Sequence, residues 1–171
     1  CSVIGQAAGA AAARCVERDC PPAELSPADV DLIQQRLLKD DCYILDLPNH
    51  DPADHARAGS ASASSHAPGC EPANALNGIA RSTDAAANLW ASDPGQALPQ
   101  WFEVELPAPA VLDEVRLTWD TALSRILTIT YYEILLPLMI RGPQPETARD
   151  YDVLLRRDGE WHTVASRRGN Y

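Results

Sequence analysis

The chain has 171 residues, 46% of them hydrophobic, and a formal net charge of −10. That charge argues against a nucleic-acid partner and against an anionic membrane surface, both of which want a basic patch. No stretch reaches the ~20 apolar residues of a membrane span. The cysteines, at 1, 15, 20, 42 and 70, include no Cys-x-x-Cys pair. This usage suits a reducing, cytoplasm-like compartment better than a disulfide framework.

The opening run, CSVIGQAAGAAAARC, is rich in alanine and glycine. Alanine is the best helix former, and Arg14 and Arg18 lie where the helix dipole favours cations, so a helix is expected from residue 3 to about 18. Cys20-Pro21-Pro22 stops it. A mature lipoprotein also starts at a cysteine, but a polar tether would be expected after it in place of an Ala/Gly helix. Ser26 is a good N-cap, Pro27 suits the first helical position, and Asp29 falls in the first turn. The second helix runs to about Lys39, with Val30, Ile33 and Leu37 on one face, and Asp40-Asp41 end it.

Residues 46–57, DLPNHDPADHAR, read as a polar linker. Beyond them the periodicity changes. Residues 58–65 alternate small and polar groups, as an edge strand does. Gln100 to Leu106 and Leu112 to Trp119 read as strands, the second with Val115 and Leu117 inward. Residues 126–136, rich in Ile, Thr and Tyr, favour strand as well. Asp158-Gly159 sits between two strand-like runs, Tyr151 to Arg156 and Trp161 to Ser166, a strong hairpin signal. The expected fold class is α+β: two N-terminal helices followed by an antiparallel β-sandwich, incomplete at both ends. The domains are 1–45, a 46–57 linker, and 58–171.

The succession Asn74-Ala75-Leu76-Asn77-Gly78, Asn88-Leu89-Trp90-Ala91-Ser92-Asp93, Gln100-Trp101-Phe102-Glu103 and Val111-Leu112-Asp113-Glu114-Val115 resembles the galactose-binding-like (discoidin, coagulation-factor type C) family. The resemblance covers about residues 56–171 and implies a jelly-roll sandwich with a glycan as the partner class. It also implies that Trp90 and Trp101 pack the core. A calcium ligand of that family is an Asp where this chain has Asn77, so Asn77-Gly78 reads as a turn and no metal ligands are assigned. The four histidines lack ligand spacing. His66, Asn88 and Arg125 are loop groups able to touch a sugar, without forming a constellation.

Val3-Ile4-Gly5-Gln6-Ala7-Ala8-Gly9, followed by the capped second helix and then this β unit, resembles the C-terminal part of bacterial FAD-dependent oxidoreductases of the two-dinucleotide-domain type. In that group a late helix points its N-terminus at the flavin pyrimidine ring. The resemblance implies FAD as cofactor of a longer parent, with Ser2, Val3 and Gln6 near the flavin edge. The partner is then an upstream FAD-binding domain of the same polypeptide. The Gly-x-Gly-x-x-Gly phosphate fingerprint is absent from the chain, and no catalytic residue is assigned in it. The chain alone is expected to be inactive. The rival expectation is a stand-alone carbohydrate- or surface-binding module with a helical leader.

Overall fold

A computed structural model describes residues 2–83, 85–120, 132–139, 142 and 146–171. The Ala-rich opening run is helix α1, Ser2–Arg18. It ends where Asp19 turns left-handed, at φ 49°. The Asp19 N–H then donates to the Val16 carbonyl at 3.2 Å and the Cys20 N–H to the Cys15 carbonyl at 3.1 Å. These are the paired bonds of a Schellman C-cap. Helix α2, Pro27–Lys39, ends the same way: Asp41 has φ 64°, its N–H donates to the Leu38 carbonyl at 3.1 Å, and the Cys42 N–H donates to the Leu37 carbonyl at 2.9 Å. Both helices thus place an Asp at the left-handed position and a Cys immediately after it.

Helix α2 begins with a complete capping box. The Asp29 N–H donates to Ser26 Oγ at 3.2 Å, and the Ser26 N–H returns a bond to Asp29 Oδ2 at 3.0 Å. The Ser26 hydroxyl also donates to Oδ2, at 2.6 Å. The other carboxylate oxygen, Oδ1, receives Arg14 of α1 through Nε at 2.9 Å and Nη2 at 2.7 Å. Asp29 is only 2% exposed. A buried carboxylate is costly unless it is paired and hydrogen-bonded, and both oxygens here are. Cys15 and Leu37 are the buried apolar residues among those described. Of the expected face of α2, Leu37 is buried, Ile33 half-buried and Val30 exposed.

Contacts divide the chain into two compact units, Cys1–Val115 and Arg116–Tyr171. Residues 46–57, read as linker, lie inside the first. The Asn49 N–H donates to the Gly78 carbonyl at 2.8 Å, the His50 N–H donates to Gln35 Oε1 of α2 at 2.8 Å, and Arg81 bridges to Asp41 at 3.0 Å. Strand β1, Ser60–Ala63, pairs antiparallel with β2, Phe102–Glu105, with Ser60 opposite Glu105 and Ala63 opposite Phe102. In the second unit β3, Tyr151–Arg157, pairs with β4, Glu160–Arg167. The connecting residues Asp158 and Gly159 have φ of 51° and 85°, two successive left-handed residues as a tight hairpin turn requires. The register slips between Val153 and Leu154: Val153 faces Ala165, Leu154 faces Thr163, and Val164 is the extra residue.

The expected β-sandwich is not formed. The described residues hold two separate two-stranded antiparallel sheets, so the chain is only weakly α+β. A sandwich exists by burying the inner faces of two sheets against each other, and no residue of the four strands is buried. Residues 112–119 are not a strand, and Val115 and Leu117 are exposed. Of the expected strand at 126–136, residues 126–131 lie outside the described residues, and Glu133–Leu138 is a 3₁₀ turn. Trp101 is 52% exposed and so is not a core residue. Its neighbour Phe102 instead packs on Trp90, ring centroids 5.2 Å apart, and Trp90 Nε1 donates to the Ser65 carbonyl at 2.9 Å.

The Ser26 hydroxyl, followed by the Arg14 guanidinium, holds the Asp29 carboxyl well below the usual carboxylate range. The unfolded chain therefore takes up that proton first. The stability Asp29 contributes is present in full above the ordinary Asp value of about 4 and is lost as pH falls below it. We expect the helix melting midpoint, followed by circular dichroism, to drop from roughly pH 4 downward. Asp29→Asn should lower the midpoint at neutral pH and flatten that slope; an unchanged slope would show that other carboxylates carry it. For the aromatic pair, Trp90→Ala is expected to cost about 2 kcal/mol, less than a fully buried Trp, and Trp101→Ala under about 1 kcal/mol. Urea unfolding of both variants measures the order.

Candidate functional site

Ser2, Val3 and Gln6 stand on the first two turns of α1. Val3 is 70% exposed, and Gln6 is exposed. The first turn carries no acidic residue. Its orphan N–H groups and partial positive charge are therefore not offset by a carboxylate within that turn. A Cβ added at Gly5 or Gly9 would meet nothing within 4 Å. The better-covered positions of α1 come later, at Ala10, Ala11, Arg14 and Cys15. The helix is thus anchored by its C-terminal half while residues 3–9 stand in the open.

A concavity of about 450 Å³ lies among the loops of the first unit, lined by Asn74, Asn77, Thr83 and Asn88 with small neighbours. Its amides are committed to the loops themselves. Asn77 Nδ2 donates to Asn88 Oδ1 at 2.6 Å, Asn88 Nδ2 to the Arg81 carbonyl at 2.8 Å, and Asn74 Nδ2 to the Gly69 carbonyl at 2.9 Å. Asn77 Oδ1 accepts from the Ile79 N–H at 2.9 Å, which makes Asn77-Gly78 an Asx-type turn. Of the loop groups singled out in the sequence, Asn88 lines this concavity and His66 does not; Arg125 lies outside the described residues. Among the described residues no group of three or more His, Cys, Asp and Glu is placed to hold a metal ion.

Two features went unread in the sequence. The Arg14–Asp29 link needed a contact between helices, although Ser26-Pro27-Ala28-Asp29 already carried the spacing of a capping box. The Asn77–Asn88 amide pair left no sequence signal. Comparison with protein-family models, with curated proteins and with solved structures returned no match.

Gly78 has φ +83°, and a Cβ there would stand 2.8 Å from the Asn49 carbonyl oxygen and 2.9 Å from Arg57 Nε. Gly69 has a similar φ of +78° with nothing within 4 Å. Gly78→Ala is therefore expected to cost roughly 1–3 kcal/mol, and Gly69→Ala at most about 1 kcal/mol. Equal losses in chemical denaturation would show that backbone conformation alone, and not the close approach of residues 49 and 57, fixes this turn.

Proposed function

We propose that this chain is the C-terminal portion of an FAD-dependent oxidoreductase, with the open half of α1 lying against the flavin-binding domain of the same polypeptide. The observation that carries the reading is the bareness of that half: Val3 and Ile4 are 70% and 75% exposed, and Gly5 and Gly9 face empty space. Each glycine inside a helix costs about 1 kcal/mol against alanine, and exposed apolar side chains recover nothing by burial. A helix with both features is explained by a close neighbour, either another backbone or a flat ring.

The residues present suit a flavin edge. A helix N-terminus with no first-turn carboxylate favours an electron-rich group, and the absence of Cβ atoms at Gly5 and Gly9 leaves room for close approach. Ser2, Val3 and Gln6 would border the cofactor there. Bound FAD would supply the hydride chemistry, and the helix would supply position and a favourable potential. The remainder of the chain would be an accessory module. The rival carbohydrate-binding reading has less support, because the amides of Asn77 and Asn88 in the loop concavity bond one another and the Arg81 carbonyl.

The 171-residue chain alone is expected to purify without flavin absorbance, since it carries none of the phosphate cradle. In the full-length parent, Gly9→Val should reduce FAD content per chain after gel filtration. In the isolated chain the same substitution should leave the melt within about 1 kcal/mol, because valine is no worse a helix former than glycine and nothing lies within 4 Å. Unchanged flavin occupancy in the parent would remove the claim of α1 to be a cofactor helix.

A further inference from the structure

The two helix ends offer an internal comparison. In each, the Schellman turn brings the third residue from the end of the helix against the second residue beyond its cap, and that contact is usually apolar. At the end of α2 the pair is Leu37 and Cys42; at the end of α1 it is Cys15 and Cys20. The same backbone geometry that sets a cysteine opposite a leucine at the end of one helix therefore sets a cysteine opposite a cysteine at the end of the other. Cys15 is buried and Cys20 half-buried, and both are free thiols. Both line a cavity of about 370 Å³ with Val16, Asp19 and Pro21. The main-chain bond from the Cys20 N–H to the Cys15 carbonyl, 3.1 Å long, brings the two backbones to the close spacing that a disulfide bridges, roughly 4.4–6.8 Å between Cα atoms.

We propose that Cys15 and Cys20 are a redox site: they form a reversible intramolecular disulfide across the C-terminal turn of α1 by exchange with a low-molecular-weight disulfide. The half-buried Cys20 makes the first attack. Its thiolate displaces one thiol from the small disulfide and leaves a mixed disulfide on Cys20. Cys15 Sγ then attacks Cys20 Sγ and displaces the second thiol. One S–S bond breaks in the small molecule and one forms in the protein. The two protein thiols give up two electrons and two protons, and the two released thiols carry them away. Cys15 suits the second role. Burial pushes its thiol up, so it reacts poorly with a free reagent, yet it stands beside Cys20. The ring so closed is short, so the bridge fixes the turn between α1 and Pro21 more than it stabilises the whole chain. At the end of α2 the residue bonded in the same way to Cys42 is Leu37, which has no thiol to offer.

The test uses the intact folded chain in mixtures of oxidised and reduced glutathione, quenched with an alkylating agent and digested with trypsin. Cleavage at Arg14, Arg18 and Arg36 separates Cys15 from Cys20, so a disulfide links peptide 15–18 to peptide 19–36. The linked pair is expected to become the main species as the oxidised form comes to excess and to vanish with dithiothreitol, while Cys42 and Cys70 stay alkylated. Cys15→Ala should instead leave Cys20 as a glutathione mixed disulfide. Recovery of wild-type Cys15 and Cys20 as separate alkylated or glutathionylated peptides at every ratio would show a plain packing pair and overturn the proposal.

Discussion

One carboxylate joins the two helices of this chain. Asp29 closes the capping box of α2 with Oδ2 and receives the fork of Arg14 from α1 with Oδ1. Local and tertiary structure are therefore set by the same group. The apolar contact around it is small, with Cys15 and Leu37 the buried hydrophobic residues among those described. Hydrophobic burial is non-directional, so a contact this small fixes neither the rotation nor the sliding of one helix on the other. A charge-assisted fork with defined angles does fix them. Ser26 matters for the same reason: its hydroxyl and its N–H orient the carboxylate before Arg14 reaches it.

That division between local and distant forces also sorts what was legible in the sequence. The helices, their proline and serine starts and the Asp158-Gly159 turn all follow from interactions within a few residues, and their positions could be read directly. The pairing of β1 with β2 crosses about forty residues of loop, and only the alternation of each strand hinted at it. The sandwich expectation rested on a run of short strand-like segments and on four short motifs in the right order. Order along a chain says nothing about which edges meet, and the stretch at 112–119 has the strand composition without forming a strand. Trp101 shows the same limit: an alternating strand identifies two faces but does not name the covered one, and here Phe102 and Trp90 take the covered side. At the candidate cofactor edge, the positions of Val3 and Gln6 on a helix were legible from composition. The amide chain through Asn77 and Asn88 was not, because it depends on loops folding back on themselves.

The open half of α1 and the anchored half differ in kind. Residues 10–15 carry the contacts and the salt link. Residues 3–9 carry glycine, alanine and exposed valine and isoleucine. In a protein most of a helix's stability comes from the packing of one face and not from alanine propensity alone. The Arg14–Asp29 link and the Schellman cap therefore steady α1 from its C-terminal end, and its N-terminal turns are the ones free to take up a neighbour.

The register slip in the β3–β4 hairpin has a consequence for how this unit behaves among copies of itself. A two-stranded ribbon has two outer edges, and a regular edge is a template on which another chain can zip up. The extra residue at Val164 breaks the two-residue repeat of β4, so N–H and C=O groups on either side of it no longer fall in one ladder. A strand laid along that edge finds its partners for half the length and then goes out of phase. The irregularity thus works as a stop against open-ended stacking, built into the middle of the strand.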